Sequence, residues 1–259
     1  MTDRPPLDLD RLTTPTDWSV EVVDSAPSTN AVVAERARAG AGEGLVVAAE
    51  HQTAGRGRLD RTWETPAGSA LTVSLLLRPG SAAVDWPWLP LLTGYAASHA
   101  LRRLGAMAEL KWPNDVLIGD RKVAGILTER IETPAGPAVV VGIGINVSTT
   151  RAELPVETAT SLTLEGHDID RTDLLSALLE RLRVEYDAFE RGELAALRTA
   201  YADACATVGR EVRVELPTGS TLVGEATGID EGGRLVVAGS DGPVPVSAGD
   251  VVHATLLGG

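Results

Sequence analysis

The sequence has little of several residue types, and each shortage excludes a class of protein. Its single cysteine, Cys205, cannot form an internal disulfide or a cysteine-based metal site, and its alanine-rich surroundings are typical of a buried position. No apolar run approaches the roughly 20 residues that span a bilayer. The first ten residues lack the basic region and apolar core of a signal peptide. We therefore expect a cytoplasmic protein with no membrane partner.

Positive charge is scarce as well. The formal net charge is -13, which opposes binding to a phosphate backbone through clustered Lys and Arg. Of the 23 cationic residues only Lys111 and Lys122 are lysines, and the rest are arginines. A compact ammonium and a planar guanidinium serve different purposes. The two lysines therefore predict a site where a point charge enters a confined space. The alternative is two ordinary surface cations.

The two lysines delimit a strand, a turn and a second strand. Residues 111–127 read K-W-P-N-D-V-L-I-G-D-R-K-V-A-G-I-L. Pro113 favours an extended conformation for the residue before it, and Gly119 followed by Asp120 is a hairpin signal between two apolar segments. Gly125 is small enough for a ligand or another backbone to lie close.

A second unusual segment is rich in glycine and arginine. Residues 51–63 read H-Q-T-A-G-R-G-R-L-D-R-T-W, which cannot be a core element. Backbone N–H groups freed by glycine, together with guanidinium groups, predict a nest for phosphate. The alternative is a flexible exposed loop, because such a segment stays mobile unless something negative orders it.

The remaining elements predict an α/β (α+β) fold with a mixed sheet flanked by helices. Residues 28–30, S-T-N, begin a helix that ends at Gly40; one of them serves as the N-cap, but three in a row also suit a polar ligand at free N–H groups. Asn146, near the end of a strand, either contacts a polar ligand or satisfies the strand end. We expect strands from residue 18 and at 45–50, 70–77 and 138–147, and helices at 86–104, 172–190 and 193–204.

Composition divides the chain into three parts. Residues 1–17 are rich in Pro, Asp and Thr without periodicity, which predicts a mobile N-terminal segment. Residues 18–206 carry the longer predicted strands and helices, and we expect them to form the main domain. Residues 207–259 carry short alternating strands broken by glycine, which predicts a small C-terminal SH3-like β-barrel.

Four segments together resemble biotin protein ligases, also called biotin-[acetyl-CoA-carboxylase] ligases. They are S-T-N at 28–30, Q-T-A-G-R-G-R-L-D-R-T-W at 52–63, K-W-P-N-D-V-L-I-G-D-R-K-V-A-G-I-L-T-E at 111–129, and G-I-G-I-N-V at 142–147. The resemblance covers nearly all of residues 18–259. It implies a catalytic domain like that of class II aminoacyl-tRNA synthetases. It also implies a two-step reaction, in which biotin and MgATP give biotinyl-5′-AMP and the biotinyl group then passes to a lysine of a biotin carboxyl carrier domain.

The resemblance also assigns roles to residues. The residues expected to bind biotin are Ser28, Thr29, Asn30, Gln52, Gly55, Arg56, Gly57, Arg58 and Lys122. Those expected to bind the nucleotide are Arg56, Arg58, Arg61, Trp63, Lys111, Asn114 and Asn146. Which residue stacks on adenine stays open, with Trp63 as the candidate. Lys122, Arg58 and Asp115 are the expected catalytic residues, and Asp115 would orient the incoming amine or accept its proton. The ligands of Mg²⁺ stay open.

Residue chemistry agrees with this assignment, because a carboxylate that attacks the α-phosphorus needs positive charge where negative charge builds up. The mixed anhydride is itself the acyl donor, so no cysteine or serine nucleophile is required.

Some family members begin with a helix-turn-helix that binds DNA, whereas this chain begins almost directly with the catalytic part, so we expect no DNA binding. The 25 residues from 235 to 259 contain no Lys or Arg, so a cationic contact from the tail cannot be assumed.

We expect a monomer or weak homodimer. Two other functions are compatible with the sequence. One is a lipoate or octanoyl ligase of the same superfamily, disfavoured by the detail of the two longer motifs. The other is a non-catalytic binder that grips nucleic acid through the arginine-rich segment, which the net charge of -13 opposes.

Overall fold

A computed structural model describes residues 4–58, 61–216, 219–239 and 242–253. The strands are β1 (Ser19–Val23), β2 (Leu45–Ala49), β3 (Ala70–Leu77), β4 (Ala108–Lys111), β5 (Asp115–Ile118), β6 (Arg121–Thr133), β7 (Gly136–Asn146), β8 (Glu211–Glu215), β9 (Thr221–Ile229), β10 (Leu235–Gly239), β11 (Gly242–Val246) and β12 (Asp250–His253). The helices are α1 (Thr29–Arg38), α2 (Trp88–Arg103), α3 (Arg171–Glu190) and α4 (Leu194–Ala204), with 3₁₀ turns at Ala83–Asp85, Arg151–Glu153 and Thr163–Glu165. The predicted strands and helices are therefore confirmed within a few residues.

The first seven strands form one mixed sheet in the order β1-β2-β3-β7-β6-β5-β4. β1 and β2 are parallel, and the other neighbours are antiparallel. Residues of β3 alternate between two cores: Leu75 and Leu77 point to the core that contains α2 and α3, whereas Leu76 points to the core beneath α1. Helices thus cover both faces, as predicted for a mixed sheet flanked by helices.

The last five strands form a second sheet in the order β11-β10-β9-β8-β12, entirely antiparallel. The sequence predicts a small SH3-like β-barrel for this part of the chain. Within residues 211–216, 219–239 and 242–253, β11 and β12 lie at opposite edges and are not paired, so the described strands form an open sheet. The turn at 231–233 docks on the first sheet's core, because Trp88 Nε1 donates to Glu231 O at 2.8 Å and Trp112 Nε1 donates to Gly233 O at 3.0 Å.

The N-terminal segment differs from the predicted mobile one. Residues 1–3 lie outside the described residues, but residues 4–17 follow the surface at the start of α3. Arg171 Nη2 donates to Pro5 O and to Glu50 Oε2, both at 2.6 Å, and Glu50 Oε1 accepts from Leu7 N at 2.7 Å. The Leu7 side chain is buried. Side-chain-to-backbone bonds hold this segment without regular structure, which is why its sequence shows no periodicity.

No helix among the described residues is both long and apolar enough to cross a membrane.

Candidate functional site

A small cavity lies where the N-terminus of α1 meets the middle of β6 and β7. Its volume is about 60 Å³. Four segments far apart in sequence line it: residues 28–30, residues 52–63, the β5–β6 hairpin and the glycine-rich part of β7. The lining residues are Ser28, Thr29, Asn30, Gln52, Arg56, Gly57, Arg58, Trp63, Asn114, Lys122, Gly125, Ile126, Leu127, Gly142, Ile143 and Gly144.

The start of α1 supplies a buried polar wall. Ser28 is the N-cap residue, but its side chain makes no capping hydrogen bond in the described structure. Thr29 N donates to Gln52 Oε1 at 2.8 Å, which places the side chain of Gln52 over the end of the helix. Ser74 Oγ lies 2.7 Å from Thr29 Oγ1 and 2.6 Å from Asn30 Oδ1. Thr29 and Asn30 therefore belong to a network with Gln52 and Ser74, whereas the Ser28 side chain lines the cavity without joining that network.

The arginine-rich segment folds back on itself at the mouth of the cavity. Gly57 N donates to Arg61 O at 2.6 Å and Trp63 N donates to Gly55 O at 2.9 Å. Residues 59 and 60 of this loop lie outside the described residues. The close backbone approach explains Gly55, because a Cβ there would lie 2.3 Å from Trp63 O.

The three arginines of this loop point to different partners. Arg58 Nη1 donates to Asn114 Oδ1 at 2.8 Å, and Asn114 Nδ2 in turn donates to Ile126 O at 2.9 Å, which fixes the orientation of the amide. The Arg56 guanidinium lies 3.1 Å from Glu129 Oε1. Arg61 forms an ion pair with Asp250 of the second sheet. In this state the arginines therefore do not converge on a single phosphate-sized point.

Lys122 lines the cavity and brings an ammonium group to it. Its Nζ is 2.6 Å from Asp115 Oδ1 and 5.7 Å from the centroid of the Trp63 ring. Backbone bonds to Thr158 O and from Thr160 N, both 2.8 Å, hold its main chain. The structure thus brings together Lys122 and Asp115, two of the residues predicted to be catalytic.

Trp63 fills most of the space next to Lys122. Its indole lies on a floor of two glycines: a Cβ at Gly144 would lie 2.5 Å from Trp63 Cε2, and one at Gly125 would lie 3.3 Å from Trp63 Cζ3. The indole Nε1 is buried, and no described residue accepts its hydrogen bond. Pockets that enclose a small-molecule ligand usually have volumes of about 300 Å³ or more. A cavity of about 60 Å³ is therefore smaller than such pockets while the Trp63 indole is in place.

Five of the predicted residues do not line the cavity: Gly55, Arg61, Lys111, Asp115 and Asn146. Asn146 is buried, and its Nδ2 donates to Thr160 O at 2.9 Å, as expected for a residue that satisfies a strand end. Burial lowers the pKa of the Lys111 ammonium below its ordinary value, and the nearby Asp115 carboxylate opposes that shift. Lys111 is thus a partly desolvated cation close to the Asp115–Lys122 pair.

Sequence reasoning missed two residues at this site, Ser74 and Glu129. Ser74 is one of two hydroxyl residues, with Thr72, in the otherwise apolar strand β3, and such a polar residue in an apolar strand was the available signal. Glu129 accepts from Asn30 Nδ2 at 2.6 Å. Its partners lie about 70 and 100 residues earlier in the chain, so no local pattern indicates its role.

A second, larger cavity of about 660 Å³ adjoins the first and shares four lining residues with it, Arg58, Asn114, Ile126 and Leu127. It lies between the start of α2 and the turn of the second sheet at residues 232–234, with Trp86 and Pro87 on one side.

For metal ions, the described part of the chain holds no group of three or more His, Cys, Asp or Glu side chains arranged as a metal site.

Comparison with known proteins identifies close relatives over both sheets. The model of the biotin/lipoate A/B protein ligase family matches residues 13–146, and that of the biotin protein ligase C-terminal domain matches residues 207–254. Biotin–[acetyl-CoA-carboxylase] ligase of Mycobacterium tuberculosis is 41% identical over 240 residues, which are 90% of this chain and 88% of that protein. The bifunctional ligase/repressor BirA of Escherichia coli is 33% identical over 224 residues, 85% of this chain and 69% of BirA. The solved structure of biotin protein ligase from Aquifex aeolicus in complex with biotin and ATP superposes with a TM-score of 0.77 at 28% identity, covering 90% of this chain and 97% of that one.

Proposed function

This chain belongs to the biotin/lipoate A/B protein ligase family, and we propose that it is an ATP-dependent biotin ligase. It activates biotin as biotinyl-5′-AMP and transfers the biotinyl group to a lysine of biotin carboxyl carrier domains. The observation that supports this most directly is the shared cavity, which Lys122 and Arg58 line together with the buried polar wall at residues 28–30. The polar wall can hold an uncharged polar ring, and the two cations can neutralise a carboxylate and a phosphate.

The polar wall suits the ureido ring of biotin. Ser28, Thr29, Asn30 and Gln52 present hydroxyl and amide groups that can both donate and accept, as the N–H and C=O groups of a urea require. Gly142 lets the Asn30 amide lie against the strand, and Gly144 leaves room for a flat ring once the Trp63 indole shifts, because neither glycine carries a side chain. Arg56 and Gly57, with Gly55 behind them, close the cavity from the loop side.

In the first step the carboxylate of biotin attacks the α-phosphorus of ATP, a P–O bond forms, and pyrophosphate leaves. Two anions approach each other, so the site must hold positive charge where negative charge accumulates. Lys122 supplies a point charge and Arg58 a planar fork that can bind phosphate through two parallel bonds. Lys111, partly desolvated nearby, adds to the positive potential.

In the second step the amine of the acceptor lysine attacks the acyl carbon of the mixed anhydride, and AMP leaves. The amine must lose a proton as the C–N bond forms. Asp115, held by Lys122 at 2.6 Å, is the carboxylate assigned to orient the amine or accept that proton.

For the nucleotide, Trp63 offers an aromatic face and Asn114 a fixed amide. Arg61 and Asn146 would need to exchange their present partners, Asp250 and Thr160, to contact it. Mg²⁺ enters with ATP as part of the substrate. Such ions are commonly held by phosphates, water and one or two carboxylates, and we assign no protein ligand.

We place the reaction in the cytoplasm, because it consumes ATP. The net charge of -13 supports the proposal that the chain does not bind DNA. We propose a monomer or weak homodimer, and we keep residues 18–206 as the catalytic part and residues 207–259 as a separate C-terminal domain.

The test is incubation with ATP, labelled biotin and an acidic carrier domain, followed by a gel that detects label on the carrier. We expect transfer that depends on ATP and on the acceptor lysine. Labelled lipoate in a parallel reaction distinguishes the lipoate ligase, and a DNA duplex retained at about 200 mM salt would favour the nucleic-acid binder. Absence of label on the carrier would contradict the proposed function.

A further inference from the structure

One carboxylate at the rim of the cavity has no part in the proposed reaction. Glu129 lies on β6, and its side chain is 31% exposed. It contacts two residues that line the cavity and come from different segments of the chain. One is Asn30 of the buried wall, at 2.6 Å, and the other is Arg56 of the loop, at 3.1 Å. Glu129 therefore connects a packed wall to a loop that folds over the cavity.

The bond to Asn30 determines which way that amide faces. Asn30 Oδ1 lies 2.6 Å from the hydroxyl of Ser74, and Asn30 Nδ2 donates to Glu129 Oε2 and to Leu127 O. An ionised carboxylate and a carbonyl both accept hydrogen bonds and cannot donate one, so Glu129, at the shorter distance, and the Leu127 carbonyl together select the orientation with nitrogen towards them. The amide oxygen is thereby directed to the Ser74 and Thr29 side of the cavity.

The contact with Arg56 fastens the loop. Arg56 is half exposed, with 52% of its side chain accessible, so this ion pair is accessible to salt. Arg58 provides another side-chain link from the loop to the β5–β6 hairpin, through Asn114. Glu129 thus completes a continuous chain of polar contacts from Arg56 through Asn30 and Ser74 to Thr29.

We propose that Glu129 is a positioning residue that couples the position of loop residues 52–58 to the orientation of the polar wall that binds the biotin ring. This inference rests on the proposed function. Glu129 acts through Asn30 and Arg56 and does not touch the reacting atoms. Its loss therefore weakens retention of biotin and of biotinyl-5′-AMP and leaves the rate of the chemical step nearly unchanged.

Two substitutions separate the two contacts. Glu129→Gln keeps an oxygen that can accept from Asn30 but removes the charge that pairs with Arg56. An exposed ion pair contributes little free energy, so its loss should change the rate only a few-fold. We expect the adenylate to be released about two- to fivefold faster, with KM for biotin nearly unchanged. Glu129→Ala removes both contacts. Because a hydrogen bond to a charged group is stronger, we expect KM for biotin and the release rate to rise roughly tenfold or more, with kcat within about twofold.

Glu132→Gln is the matched control, since Glu132 lies on the same strand and pairs with Arg130 at 2.8 Å on the surface. The measurements are adenylate release by filter binding, and kcat and KM from pyrophosphate formation. The ratio of release rates between Glu129→Gln and the unmodified protein should shrink as salt rises, because salt screens the Arg56 pair. A purely structural role would lower Tm without this salt dependence.

The inference is overturned if Glu129→Ala has the KM and release rate of the unmodified protein, or if Glu132→Gln changes them equally. It is also overturned if Glu129→Ala lowers kcat by as much as kcat/KM, which would place Glu129 in the chemical step. Failure of the unmodified protein to label a carrier domain would instead contradict the proposed function.

Discussion

Lys122 and Asp115 face each other across the β5–β6 hairpin, with Nζ 2.6 Å from Oδ1. Regular alternation along β6 would place Lys122 and Gly125 on opposite faces of the sheet. The pairing shifts between Val116 and Leu117, because Val116 pairs with Ala124 and Leu117 pairs with Lys122. That bulge leaves one extra residue in β6 and turns the lysine to the face that carries Asp115 and Gly125. A one-residue irregularity thus places the ammonium in the cavity.

Lys122→Ala is expected to slow adenylate formation by at least about a hundredfold, the scale of losing one positioned electrostatic donor. Pyrophosphate release measures this step. Arg121→Ala, which changes the adjacent residue and its exposed pair with Glu165 at 2.8 Å, serves as the control and should keep normal rates. Near-normal pyrophosphate release by Lys122→Ala would remove Lys122 from the mechanism.

Arg58→Gly is expected to release biotinyl-5′-AMP faster, because the bond to Asn114 and the fork towards phosphate are both lost and the loop closes less well. Arg58→Lys should release biotinyl-5′-AMP at a rate between those of the unmodified protein and Arg58→Gly, since an ammonium cannot form two parallel bonds. Arg36→Ala, on the exposed face of α1, controls for loss of a positive charge. An unchanged release rate in Arg58→Gly would contradict this role.

Biotin is expected to change the fluorescence of Trp63, because the indole lies on Gly125 and Gly144 within a cavity of about 60 Å³ and must shift to admit a ligand. The chain has five tryptophans, so the signal is assigned by comparing the unmodified protein with Trp63→Phe. The change on adding saturating biotin should be lost in that variant. Equal changes in the two proteins would show that the indole stays in place.

Gly142→Ala is expected to raise KM for biotin, because the added Cβ would lie 2.1 Å from Asn30 Oδ1 and must displace that side chain. Overpacking of this kind costs about 1–3 kcal/mol, measured as the free energy of unfolding in denaturant. Gly228→Ala is the control, since a Cβ there meets nothing within 4 Å. If Gly142→Ala kept normal affinity for biotin, the wall would not depend on the position of Asn30.

His253 makes the stability of the protein depend on pH. Burial lowers its pKa to about 4, and the charges of Lys111 and Arg210 act in the same direction while Asp120 opposes them. In the unfolded chain a histidine titrates near 6.5. Between pH 6.5 and about 4 the unfolded state therefore binds a proton that the folded state does not, and the free energy of unfolding falls as pH falls.

His253→Gln cannot titrate, so its free energy of unfolding should vary less across that window. Urea denaturation at several pH values between about 4 and 7 measures how steeply the free energy of unfolding changes with pH in the unmodified protein and in His253→Gln. Equal slopes would show that the imidazole is not kept neutral by its surroundings, which include Thr207 Oγ1 at 3.1 Å and Arg210 Nη1 at 3.3 Å.

The sequence predicted those parts of the fold and site that depend on neighbouring residues. The β5–β6 hairpin follows from Gly119 and Asp120, and α1 and α2 follow from alanine-rich and leucine-rich patterns. The loop at 52–63 and the polar start of α1 were recognised from their unusual composition. Each of these signals is local, because backbone propensity and burial periodicity are written in consecutive residues.

Contacts between distant segments were not predictable in the same way. The segment at 4–17 looks unstructured because its stabilising partners, Glu50 and Arg171, are far along the chain. The sequence of the second sheet alternates between apolar and polar residues, as strands do. Whether the edge strands β11 and β12 pair to close a barrel depends instead on how whole strands are arranged. Arg61, which we propose to contact the nucleotide, pairs here with Asp250 of the second sheet, a partner far along the chain.

By itself, the sequence determined which residues form strands and helices and which family the chain resembles, since both depend on patterns within short segments. Only the tertiary structure decided that a bulge turns Lys122 towards Asp115. It likewise placed the Trp63 indole against Gly125 and Gly144, and Glu129 between Asn30 and Arg56. The physical reason is that register and side-chain contact depend on how separate elements pack together, and no single segment contains that information.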